Sequence, residues 1–238
     1  MIAIKSTFAA FLLGVFLLPA ARAEMMGPLG GSGLSGEYAG FFDSPFAHLP
    51  LTGGGPGSYF HLKDFEDGSL DAPGVSMSGL DVRITTGDDS VDFDDGIVDG
   101  SGRGGRSVWG WGIPGITIMF DADALGHLPN HVGIVWTDGV NPVTFWAYDA
   151  RGTLIGLASG SHADASFDGT TADDRFYGVR YGPGIRYVQI SNGGGPGTFA
   201  GIEVDHLQYA YAVPEPETIS LLLAGLGLLR LKTRNRRS

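Results

Sequence analysis

The chain has 238 residues, 43% hydrophobic and 17% charged, with 15 basic and 26 acidic side chains and no cysteine. The missing cysteines exclude a disulfide scaffold, and the acidic balance excludes nucleic acid and anionic lipid as natural partners. The 40 glycines point to many turns between short elements.

The N-terminus carries Lys5, an apolar run over residues 8–18, a break at Pro19 and the small-x-small sequence Ala21-Arg22-Ala23. That order predicts a secretory signal peptide over residues 1–23, cut after Ala23. Residues 24–57 are rich in Gly, Ser and Pro, with aromatic spots at Tyr38, Phe41, Phe42 and Phe46. Gly53-Gly54-Gly55-Pro56-Gly57 cannot hold a helix or a central strand. The segment reads as largely irregular, its aromatics packing on a domain edge.

From residue 58 the apolar pattern takes a period of two. Strands are predicted at 59–66, 75–85, 116–120, 132–137, 144–148, 153–157, 175–179, 187–191 and 202–212, separated by Gly, Asp, Asn and Pro turns. One short helical turn is expected within 123–130. Short strands at such spacing predict an all-β domain over 58–212, a jelly-roll-like β-sandwich.

Residues 88–99 place six carboxylates within twelve positions. Such a loop either binds a hard cation such as Ca²⁺ through its oxygens or stays solvated as an acidic surface. The alternation is out of register for an EF-hand. Among the aromatics able to face a sugar (Trp109, Trp111, Trp136, Trp146 and Tyr148), Trp136 and Trp146 lie inside β runs and are expected in the core. Trp109 and Trp111 alternate with glycine and are the better candidates for a ligand-binding surface. No nucleophile elbow, phosphate-cradling loop or His-Glu-x-x-His motif is present. His127 and His131 are four apart, but Pro129 between them disfavours a helix that would aim both at one metal. Absence of an enzymatic motif favours a non-enzymatic protein. The alternative is an extracellular glycan hydrolase using a carboxylate pair, which 26 acidic residues make impossible to single out.

Residues 213–238 run from Pro214-Glu215-Pro216 through an apolar stretch at 219–229 to Arg230, Lys232, Arg234, Arg236 and Arg237. Residues 218–229 would span about 18 Å as a helix, short against a hydrocarbon core of about 30 Å. That suits a transient hold in the membrane with the bases on the cytoplasmic side. With its Pro-Glu-Pro, its Gly225 and Gly227 and its terminal Arg236-Arg237, the tail resembles the PEP-CTERM sorting signals of Gram-negative bacteria. The resemblance implies an exosortase as processing partner, removal of the tail near Pro214, Glu215 and Pro216, and delivery to the cell surface or extracellular polysaccharide matrix. Five bases lie in the tail and two in the signal peptide, so residues 24–217 keep 8 bases against 26 acids, a net of −18.

The stretches Phe65-Glu66-Asp67-Gly68 and 201–209 resemble the jelly-roll sandwiches of secreted bacterial proteins, carbohydrate-binding modules among them. That resemblance implies a structural Ca²⁺ joining the first and last strands through a Glu and an Asp, here Glu66 and Asp205. The sequence thus leads to an exported surface or matrix protein, with a sandwich that binds polysaccharide or serves structurally.

Overall fold

The computed structural model describes residues 21–31, 36–49, 57–86, 89–97, 102–140, 142–163, 173–193 and 200–212. The signal peptide's apolar run and the sorting tail lie outside the described residues. Twelve strands occur among those described: β1 (Glu24–Leu29), β2 (Tyr59–Lys63), β3 (Val75–Ser78), β4 (Arg83–Thr86), β5 (Arg106–Trp111), β6 (Ile116–Phe120), β7 (His131–Gly139), β8 (Val143–Asp149), β9 (Leu154–Gly160), β10 (Arg175–Arg180), β11 (Ile185–Ser191) and β12 (Gly201–Tyr211). Every pairing is antiparallel. One sheet runs β1-β10-β7-β12-β5-β4, with β2 also on β12; the other runs β3-β6-β11-β8-β9. The chain changes sheet at most connections, as a jelly-roll sandwich does.

Alternation explains the core between the sheets. Ile116, Ile118 and Phe120 of β6, Val143, Phe145 and Ala147 of β8, and Val132, Ile134 and Trp136 of β7 all point inward and are at most 2% exposed. Each strand then offers its other face outward. The two outer faces differ. A second apolar cluster of Tyr38, Phe46, Phe60, Val91, Val135, Phe176 and Ala210 covers the seven-stranded sheet from outside. Gly133 permits this, because a Cβ there would collide with the Phe176 ring.

Several elements differ from the expectation. Residues 24–57, expected to be irregular, contribute edge strand β1 and a segment, 36–49, whose Tyr38 and Phe46 are fully buried. The strand expected at 75–85 is two strands in different sheets, β3 and β4, parted where Asp81 takes φ 58°. Strand β5 was hidden by its glycine. The helical turn after β6 forms at α2 (Ala122–Leu125), where the Asp121 carboxylate accepts the Asp123 N–H (2.9 Å). Part of the acidic loop winds into one short turn, α1 (Asp92–Asp95).

Candidate functional sites on the two outer faces

Strand β12 sets up the first site. Its inward residues are Ile202 and Val204, then Leu207 and Tyr209. The spacing of two, three and two means one extra residue, and the pairing with β7 shifts register between Asp205 and Gln208. His206 absorbs the bulge at φ 45°. As a result Asp205 and His206, though consecutive, both face outward beneath the loop at 89–97.

There the β12 carboxylates hold the loop by its backbone. The Asp89 N–H donates to Glu203 Oε2 (3.0 Å) and the Val91 N–H to Asp205 Oδ2 (3.1 Å). The Asp94 carboxylate pairs with His206 Nε2 at 3.0 Å. Burial alone would lower the His206 pKa, but Asp94 and Asp205 outweigh it and hold the ring above its usual value. Asp205 is raised by burial, an effect that His206 partly offsets.

A second acidic group lies nearby. One carboxylate oxygen from each of Asp89, Asp173 and Asp174 falls within 4.8 Å of the others, and all three residues are buried. Burial, then Asp138 and Asp173, push Asp89 up to about 8. Asp174 is raised well above the carboxylate range by burial, then by Asp89, Asp173 and Glu37. Asp89 Oδ2 and Asp174 Oδ1 are buried without a hydrogen-bond partner. Such a concentration of oxygen donors can hold a hard cation.

Glu66, expected to hold a cation with Asp205, bonds to β5: Glu66 Oε1 accepts the Arg106 N–H, and the Glu66 carbonyl accepts the Arg106 guanidinium, while the Asp94 carboxylate acts on both Glu66 and Asp205. Burial raises the Glu66 pKa, against the Arg106 hydrogen bond. Neither convergent acidic group among the described residues includes it.

The aromatic candidates separate by strand parity. Trp136 is in the core at 0% exposure, as expected. Trp146, also expected in the core, faces outward on β8, because Val143, Phe145 and Ala147 take the inward positions. Trp109 and Trp111 lie on the outer face of the seven-stranded sheet, 5.2 Å apart and tilted by 70°. The Arg83 guanidinium sits 4.1 Å over the Trp109 ring, and that ring leans over Gly201. Trp109 is thus half-buried and already stacked.

The outer face of the five-stranded sheet is a different surface. Register aligns Met119, Tyr187, Tyr148 and Leu154 in one row across β6, β11, β8 and β9. The next row holds Thr117, Gln189, Trp146 and Leu157. Tyr148 and Tyr187 stack at 4.3 Å and 14°. Met119, Leu154 and Leu157 are exposed, and Trp146 is half-buried, as Trp109 is. These two rows carry no charged side chain, in contrast with the rest of this acidic chain. Sequence reasoning missed Tyr187; the signal was its pairing with Tyr148, invisible without register.

Comparison with solved structures finds similar chains at low identity and low TM-score. The CBM22-1 xylan-binding domain of Paenibacillus barcinonensis Xyn10C is similar at 13% identity and TM-score 0.36, over 65% of this chain and 95% of that one. The C-terminal family 22 carbohydrate-binding module of Clostridium thermocellum Xyn10B is similar at 13% identity and TM-score 0.34, over 66% and 96%. A DUF4465 family protein from Bacteroides ovatus is similar at 11% identity and TM-score 0.27, over 81% and 100%. No curated protein matches the chain. Among the described residues no helix is long and apolar enough to cross a membrane. Residues 212–237 match the PEP-CTERM protein-sorting motif, and with it the chain carries a signal for export and surface sorting.

Proposed function

We propose that this exported chain is a non-catalytic surface or matrix protein whose sandwich binds polysaccharide on the outer face of its five-stranded sheet. The observation that carries the reading is the uncharged aromatic row of Tyr148 and Tyr187 beside Trp146. Aromatic faces stack on the apolar faces of sugar rings, and neighbouring strands lie about 4.8 Å apart, close to the length of one pyranose unit. Thr117, Gln189, Thr144 and Ser159 stand among these rings as hydrogen-bonding groups for sugar hydroxyls. A neutral glycan fits this face best, because an anionic polymer would meet the field of a net −18 over residues 24–217.

Burial supports the non-catalytic reading. Asp89, Asp173, Asp174 and Asp205 are at most 5% exposed, so a polymer chain cannot lie between them. A glycosidase needs its two carboxylates on either side of an open cleft. The exosortase and a transient inner-membrane hold through the tail complete the proposal, supported by the sorting motif at 212–237. The reading moves the ligand from Trp109 and Trp111, where Arg83 already covers the Trp109 ring, to Trp146 and its tyrosine neighbours.

A glycan array followed by titration tests this. Losing an aromatic stack removes about 0.5–1.5 kcal/mol, so the Trp146→Ala, Tyr148→Ala double variant should bind about 5- to 150-fold more weakly. Trp109→Ala should bind like the parent. Loss of affinity in Trp109→Ala with none in the double variant would sink the placement, and no binding to any neutral glycan would sink the function.

A further inference from the structure

The two acidic groups on the seven-stranded sheet differ in composition. The group of Asp94, Asp205 and His206 includes a base, the His206 ring bonded to Asp94 at 3.0 Å. The group of Asp89, Asp173 and Asp174 is made of carboxylates alone. Asp89 and Asp174 are both 3% exposed, and Asp89 Oδ2 and Asp174 Oδ1 accept no hydrogen bond. Burying such oxygens as carboxylates is strongly unfavourable unless a proton or a metal cation neutralises them.

We infer that Asp89, Asp173 and Asp174 form a binding site for one hard divalent cation, Ca²⁺, beneath the outer layer of the seven-stranded sheet. The donors are all carboxylate oxygens, with no thiolate or imidazole in the group. That chemistry suits Ca²⁺, which takes six to eight oxygens in flexible geometry, over a tetrahedral N/S metal. The site joins pieces of chain far apart in sequence. Asp89 opens the loop at 89–97, Asp173 and Asp174 lead into β10, and the Asp174 carbonyl accepts the Tyr38 N–H (3.0 Å) from the segment 36–49. A bound ion therefore ties both covering segments to the sheet. This moves the expected calcium from Glu66 and Asp205 to a different set of ligands.

Thermal melts of the full chain, stripped with EDTA and then given 1 mM CaCl₂, test the site together with equilibrium dialysis against ⁴⁵Ca²⁺. The parent should bind one Ca²⁺ per chain, and the ion should raise Tm by about 5–10 °C, the shift for a ligand near a hundredfold excess over Kd on a domain of this size. Asp174→Asn keeps the side-chain volume and should lose both the bound ion and the shift, while Glu66→Gln keeps them. Asp89→Asn gives the same reading if Asp174→Asn fails to fold. A parent that binds no Ca²⁺ overturns the site. So does full binding in both aspartate variants, or loss of the ion only in Glu66→Gln.

Discussion

His131 and His162 are half-buried at opposite positions around the seven-stranded sheet, and neither is held by a carboxylate. Burial, then Arg180 and His48, lower His131 to about 4. Burial, then Arg175, lower His162 to about 4, where its Nε2 meets the Tyr177 hydroxyl at 2.7 Å. Both folded values lie below the ordinary value of about 6.5. Above that value neither state takes a proton, so the contribution to stability is complete. As pH falls from about 6.5 towards 4, the unfolded chain binds protons that the folded one refuses, and stability is lost. His162→Gln keeps an amide at the tyrosine hydroxyl and should show a smaller fall in Tm between pH 7.5 and 4.5 than the parent. Equal falls would remove the histidine from the account. At this scale the sequence was legible where one residue decides, as at Trp136. It was not where parity decides: whether Trp146 points in or out depends on the neighbours of β8, and a β run alone does not say which face is covered.

Between elements, Gln208 connects the segment 36–49 to the sheet. Fully buried on β12, it accepts from the Ser44 hydroxyl and donates through Nε2 to the Tyr38 hydroxyl (2.9 Å). Tyr38 in turn stacks on Phe176 at 6.1 Å and meets His206 edge-on at 5.9 Å. Gln208→Leu fills the same space without the polar atoms and strands the tyrosine hydroxyl. An orphaned buried group costs about 1–3 kcal/mol, so this variant should lose about 1–3 kcal/mol in a urea melt. A loss below about 0.5 kcal/mol, the usual range for a neutral surface change, would mean the segment is not anchored there. This docking sharpens the reading of residues 24–57. Glycine content argued for an irregular path and the aromatics Tyr38, Phe41 and Phe46 for packing at an edge, and only a sheet with an apolar outer face shows where they pack. Strand β12 shows the converse. The spacing of Ile202, Val204, Leu207 and Tyr209 already contained the bulge that puts Asp205 and His206 on one side. The partner loop at 89–97 was recognisable as acidic, but its contact with residues 173 and 174 depends on tertiary topology and left no local signal.

For the whole molecule, the question is how a sandwich is joined to the tail proposed for exosortase processing. Strand β12 is the sheet's most heavily paired strand, with β7 on one side and β5 and β2 end to end on the other. It closes at Ala212, where Asn130 holds both backbone groups: its Nδ2 donates to the Ala212 carbonyl (2.8 Å) and its Oδ1 accepts the Ala212 N–H (2.9 Å). The sorting motif begins at that residue, and Pro214 and Pro216 cannot donate a ladder hydrogen bond that would prolong the strand. Among the described residues, the pairing of β12 ends at Tyr211, before the tail starts. Removing the tail should leave the fold unchanged while taking away five bases, which sharpens the acidity of the released surface. A chain ending at Ala212 should melt within about 2 °C of the full chain, a difference of at most about 1 kcal/mol for a domain of this size. In the native host, an epitope placed beyond Arg237 should be missing from the surface form. It should persist, with the protein held in the membrane fraction, when Pro214, Glu215 and Pro216 are all changed to alanine. Retention of the epitope on surface-exposed parent protein would count against processing of the tail. A tail-less chain melting well below the parent would instead show that the sandwich and its sorting signal are one folding unit.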